Sequence, residues 1–125
     1  APFDAILLDA PCSATGTFRR HPDLLYAKAD LDLAALLALQ DELRARAAGW
    51  LKPGGRLVYA VCSLEPAEGE GADVPHGLEP DPVKATELPA GLSPTRQGTV
   101  RTLPSLWSEQ GGADGFFIAR WRRLG

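Results

Sequence analysis

Two cysteines occupy matching places in the chain. Cys12 closes the stretch "ILLDAPCS" and Cys62 closes "GRLVYAVCS", and each is followed at once by a serine. A cysteine works as a nucleophile through its thiolate, which needs a polar, partly open setting. The plain alternative is that both are small core residues, the commoner lot of an intracellular cysteine by roughly two to one. A redox pair is a third reading, although the two-residue spacing usual for such pairs is absent. The neighbours tilt the balance. Asp-Ala-Pro-Cys-Ser and Val-Cys-Ser both sit where a strand-like run ends.

The elements that would position these thiols follow from the pattern. "FDAILLDA" (Phe3 to Ala10) is a short apolar run stopped by Pro11, which reads as a fully buried strand. Residues 13 to 30 read as a polar loop around "RRHPD". From Leu31 a helical period takes over, with Leu36, Leu39, Leu43, Ala47 and Trp50 on one face and Asp30 or Asp32 as a cap. "LKPGG" ends the helix, because Pro53 cannot continue it and a glycine accepts a left-handed cap. "RLVYAVC" is then a second buried strand. Strand, helix and strand make a βαβ unit whose strands are parallel, with their C-terminal ends on the edge where α/β proteins bind ligands. Neighbouring strands lie about 4.8 Å apart, so Cys12 and Cys62 are expected in one crevice.

The remainder is less regular. Residues 65 to 98 hold six prolines and no helical period, with "VKATELP" as a short candidate edge strand. "FFIARWRR" (Phe116 to Arg123) reads as a last strand, with Gly111, Gly112 and Gly115 marking the turn before it. Trp50 and Trp107 are expected in the core, and "RWRR" is weak evidence for a basic edge.

Composition sets outer limits. The chain has 125 residues, 45% hydrophobic and 23% charged, which fits one globular domain. No run of about 18 apolar residues occurs, so no membrane partner is expected. Two cysteines and two histidines make a metal site improbable and are too few for a disulfide scaffold. A formal net charge of −3 gives no general attraction for nucleic acid, so RNA binding would need a local basic patch. The absence of a basic-then-apolar leader points to the cytoplasm, where thiols stay reduced.

"DAPCSATGTFRRHPD", "LKPGGRLVYAVCSLEP" and "DGFFIARW" together resemble the Sun-type (Fmu-type) RNA cytosine carbon-5 methyltransferases. The resemblance runs from Phe3 to about Glu70 and from about Thr99 to Arg123. It implies an α/β fold, the C-terminal half of a Rossmann-like class I methyltransferase sheet, mostly parallel with an antiparallel last strand. It also implies methyl transfer from S-adenosylmethionine to a cytosine of RNA, with ribosomal RNA the expected partner. Carbon-5 of cytosine is a poor nucleophile until something adds at carbon-6. By the resemblance, Cys62 is that attacking thiolate and Cys12 assists release of the methylated base. Asp9 would hold the base or orient the cofactor, with Pro11 beside it on the cofactor side. Asp9 has an ordinary role too, bonding the turn at Pro11. Arg19, Arg20 and His21 would offer cations to RNA phosphates, or form a solvated loop.

Three departures from the family pattern stand out. Val61 replaces a common threonine before the nucleophile, which leaves the thiol in place. The helix usual after "CSLEP" has no counterpart in "AEGEGADVPHGLEPDP", so residues around 71–78 are expected to be missing. The glycine-rich cofactor loop would lie before Ala1. Residues 1–125 are therefore expected to be a partial catalytic domain lacking its cofactor-binding half, inactive alone and prone to associate through an exposed strand edge. The other readings are a Rossmann-like methyltransferase with another substrate, a non-catalytic RNA-binding or assembly module, and a thiol oxidoreductase.

Overall fold

The two apolar runs flanking the helical stretch form neighbouring parallel strands in the computed structural model, which describes residues 3–13, 33–103, 106 and 114–125. β1 (Phe3–Asp9) leads to α1 (Leu33–Trp50), which runs directly into β2 (Leu51–Val61). β3 (Leu78–Pro80), β4 (Val100–Arg101) and β5 (Phe117–Arg123) complete a mixed sheet ordered β1-β2-β5-β3, with β4 also paired to β5. β1 and β2 are parallel, while β5 is antiparallel to β2, β3 and β4. The fold is α/β, with the expected antiparallel last strand, although β1 and β2 are the single parallel pair among the described residues.

β2 shows why its sequence makes a central strand. Leu57, Tyr59 and Val61 are buried, two residues apart, on the same side as Trp121, Ala119 and Phe117 of β5, their direct partners. The Tyr59 and Trp121 rings stack with centroids 5.7 Å apart. α1 packs on β1 and β2 and sets the Arg44 guanidinium over the Tyr59 ring at 4.9 Å.

The start of β2 departs from the expected helix cap. α1 stops at Trp50, and "LKPGG" belongs to the strand. Pairing passes from Phe3↔Leu51 to Ala5↔Arg56, two steps on β1 against five on β2. Gly54, with φ of 79°, lets the extra residues loop out, so its left-handed backbone serves a bulge. At Gly55 a Cβ would meet Lys52 O at 2.8 Å and Asp4 O at 3.0 Å. Only glycine lets the two strands rejoin there.

Four expectations are corrected. β1 is an outer strand of this sheet, with Leu7 72% exposed, because nothing described packs on its second face. The buried face of α1 is Gln40, Arg44, Ala47 and Ala48, about one position round from the leucine stripe, since polar groups of the neighbouring turns draw Gln40 inward. Trp50 is 53% exposed at the helix end. "VKATELP" contains a 3-10 turn at Ala85–Glu87, while the short strand lies earlier, at Leu78–Pro80, where Leu78, Glu79 and Pro80 pair with β5. Arg19, Arg20, His21, Trp107, Gly111 and Gly112 lie outside the described residues.

Candidate functional site

Cys12 and Cys62 meet at the C-terminal edge of the parallel pair, with their sulfurs 3.4 Å apart in hydrogen-bond contact. The ladder ends at Asp9↔Ala60, and Ala10 N–H still donates to Ala60 O at 2.9 Å. Past that point the Pro11 turn lets the first segment advance three residues while the second advances two. Cysteine then faces cysteine and serine faces serine, with Ser13 Oγ 3.2 Å from Ser63 Oγ. The repeated Cys-Ser of the two motifs is thus a paired double rung.

A buried carboxylate holds this arrangement from beneath. Glu68, fully buried, sits on the 3-10 turn Pro66–Glu68 that follows Cys62. Its Oε2 accepts from Ser13 N–H at 3.0 Å and from the Gln40 Nε2 amide at 3.1 Å. The same Gln40 amide also donates to Pro11 O at 2.9 Å. The Tyr59 hydroxyl donates to Glu68 O at 2.7 Å, and burial pushes the Tyr59 phenol up to about 12. Ser63 Oγ accepts from Glu65 N–H at 3.0 Å, which turns the chain away after Cys62.

The electrostatics favour one thiolate. The Cys12 thiol, donating to Cys62 Sγ, pulls Cys62 down from an ordinary 9.0 to about 7. Partial burial and the carboxylates of Asp9 and Asp114 oppose that shift and are outweighed. A proton shared between two sulfurs favours a single negative charge on the pair. Asp9 is exposed at the end of β1 on the same side of the sheet as Leu7, and Pro11 is exposed at the turn.

The two sulfurs thus meet at one sheet edge, with Asp9 and Pro11 on the segment that leads to Cys12. The basic loop Arg19, Arg20 and His21 lies outside the described residues. The last strand's cations are engaged within the chain. Arg120 pairs with Asp81 and Glu87, Arg122 with Glu79, and Arg123 donates to Leu51 O and Ala48 O. Arg101 instead supports the site, bonding Ser63 O and pairing with Glu70 at 2.5 Å, which lowers the Glu70 carboxyl. Among the described residues no cluster suits a metal ion. Sequence reasoning missed Glu68, Gln40, Tyr59 and Arg101. It also passed over Ser13 and Ser63, for which the doubled Cys-Ser was the available signal.

The family model described as 16S rRNA methyltransferase RsmB/F matches residues 1–122. The ribosomal RNA small subunit methyltransferase B of Klebsiella pneumoniae is 48% identical over 119 residues, 94% of this chain and 26% of the relative. The protein of the same name from Xylella fastidiosa is 46% identical over 125 residues, 95% of this chain and 27% of the relative. This chain thus spans about a quarter of the length of those relatives. Among solved structures, NSun6 from Pyrococcus horikoshii with SFG superposes with a TM-score of 0.72 at 29% identity, over 96% of this chain and 30% of that one. PH0851 gives a TM-score of 0.77 at 32% identity, over 96% of this chain and 26% of that one. Matched by that family model over nearly its whole length, the chain belongs to the RsmB/F family of 16S rRNA methyltransferases.

Proposed function

We propose that the protein containing this chain methylates carbon-5 of a cytosine in ribosomal RNA, and that these residues are the C-terminal catalytic portion of its domain. The observation that carries the reading is the 3.4 Å approach of Cys12 and Cys62 at the C-terminal ends of parallel strands, with Cys62 near pKa 7. Such a thiolate is ionised enough at neutral pH to attack. Paired thiols also suit carbon methylation in particular, since nitrogen or oxygen methylation needs no covalent addition to the ring.

Cys62 Sγ adds to carbon-6 of the cytosine, and the ring electrons move to make carbon-5 nucleophilic. After methylation, carbon-5 loses its proton to a base, the sulfur–carbon-6 bond breaks, and Cys62 leaves as a thiolate. Cys12, in contact with the departing sulfur, assists that release. S-adenosylmethionine supplies the electrophilic methyl group. Support for it comes from the family and from the relative holding SFG, an analogue of that cofactor. The residues present fit the rim of such a site: Asp9 offers an exposed acceptor carboxylate and Pro11 an exposed turn beside the thiols. Arg19, Arg20 and His21, next in sequence after the Cys12 motif, take the RNA phosphates. The setting is the cytoplasm, where ribosomal RNA is met and both thiols stay reduced.

The test uses the full protein with cofactor and RNA on a denaturing gel. Cys12→Ala should accumulate RNA that stays covalently attached, because addition survives and release is impaired. Cys62→Ala should give no adduct and no methylation. A reversed pattern would exchange the two roles. If neither variant traps RNA and both still methylate, the covalent reading is wrong. A redox dithiol draws on the same sulfur approach, and it predicts a Cys12–Cys62 disulfide that cycles during turnover.

A further inference from the structure

We propose that Glu68 is a positioning residue, a clamp carried by the Cys62 segment that holds the Cys12 turn and thereby sets the approach of the two sulfurs. The inference rests on the methyltransferase reading for its catalytic meaning and on geometry for its substance. Cys12 lies on an irregular stretch after β1, and no ladder pairing extends to it. Its two chain neighbours are both tied to one carboxylate. Ser13 N–H bonds Glu68 Oε2 directly at 3.0 Å, and Pro11 O is reached through Gln40, whose amide bridges it to the same oxygen. Glu68 in turn sits six residues beyond Cys62, and Tyr59 of β2 fixes its backbone oxygen. One side chain therefore joins both cysteine segments. Gly69 follows, closely packed on Phe117, where a Cβ would come within 2.7 Å of the ring, so the turn has little room to shift.

The sign of a thiol shift separates a clamp from a bystander charge. A carboxylate acting only by its charge disfavours a nearby thiolate, so its removal would lower the Cys62 pKa. A clamp does the opposite. Without it the Cys12 turn relaxes, the sulfur–sulfur hydrogen bond lengthens, and Cys62 rises from about 7 toward its ordinary 9.0. The full protein is alkylated with iodoacetamide across pH 6–10, and the Cys62 peptide is followed by mass spectrometry. Glu68→Ala should raise the midpoint and slow alkylation at pH 7 by about three- to eightfold. Glu68→Gln should stay near the wild-type midpoint, because a single amide oxygen can accept from both Ser13 N–H and Gln40, as Oε2 does. Gln40→Leu, which frees Pro11 O, should also raise the midpoint and serves if Glu68→Ala fails to fold. A midpoint that stays or falls in Glu68→Ala overturns the clamp, or in Gln40→Leu where Glu68→Ala does not fold; so does a Glu68→Gln midpoint as high as that of alanine. Failure of the methyltransferase reading would appear separately, as wild-type protein that transfers no methyl group while the thiol shifts persist.

Discussion

Removing the Cys12 sulfur should change Cys62 in two opposite ways, and the balance can be worked out. Cys62 sits at about 7 because the Cys12 thiol donates to it, against an ordinary value of 9.0. In Cys12→Ala that donor is gone while partial burial and the Asp9 carboxylate remain, so the midpoint should return to 9.0 or above. At pH 7 the thiolate fraction then falls from about one half to about 1%, roughly a fiftyfold loss. A more basic thiolate is also a better nucleophile, with a Brønsted slope of about 0.4–0.5, which restores about six- to tenfold. The net expectation is alkylation about five- to eightfold slower at pH 7 and about five- to ninefold faster at pH 10. The two rate profiles should therefore cross at about pH 8.

The assay is iodoacetamide labelling of the full protein at each pH, quenched in time and resolved by peptide mass so that Cys62 is read alone. A crossing is a demanding signature, because simple unfolding would raise the rate at every pH and simple shielding would lower it. Stability gives a second reading of the same proton. A thiol whose folded pKa is depressed adds stability that is fully present above the unfolded value and is lost as pH falls through the folded one. Wild-type protein should gain stability between about pH 7 and pH 9, and Cys12→Ala should show a flat line there. If the variant keeps a midpoint near 7, the donor from Cys12 is not what ionises Cys62, and the electrostatic account of the site is wrong.

Two further substitutions test the frame around the thiols. Tyr59→Phe removes the hydroxyl that satisfies the buried Glu68 O, and should cost about 1–3 kcal/mol by urea unfolding. No change in the unfolding midpoint would mean that this oxygen is satisfied otherwise. Gly55→Ala drives a Cβ to 2.8 Å from one backbone oxygen and 3.0 Å from another, and should cost about 1–3 kcal/mol. Gly49→Ala, on α1 with nothing within 4 Å, should instead stabilise by about 0.5–1 kcal/mol. If both glycine variants behave alike, the bulge at the start of β2 is not where the strands touch.

How far the sequence could be read depends on how local each determinant is. The βαβ unit was legible because two apolar runs and a helical period are written in consecutive residues. The meeting of Cys12 and Cys62 followed from that topology, since parallel neighbours end on one edge. Glu68 was not legible. In "EPAEGEG" it looks like any acidic turn residue, and it is buried only because Ser13, 55 residues away, and Gln40, 28 away, bring their donors to it. The α1 stripe misled for the same reason. Leu36, Leu39 and Leu43 mark an apolar face, yet the helix turned inward is the one carrying Gln40 and Arg44, because a buried carboxylate and the Tyr59 ring needed polar and cationic partners.

β1 presents the opposite problem. Its sequence asks for burial on both faces, and Leu7 nevertheless lies 72% exposed beside Val58 of β2, its partner in the ladder. An apolar side chain on a strand reports that its face is meant to be covered, and says nothing of what covers it. Asp9 stands at the end of that same face, close enough to act on Cys62. A cover over Leu7 that also reached Asp9 would lower the local dielectric around the thiols. It would strengthen three influences at once, the desolvation and the Asp9 charge that raise the Cys62 pKa and the Cys12 hydrogen bond that lowers it. The hydrogen bond acts at 3.4 Å and outweighs the carboxylate even in the open site. Covering the face should therefore make a second charge beside the first costlier, and so drive the titrations of the two thiols further apart.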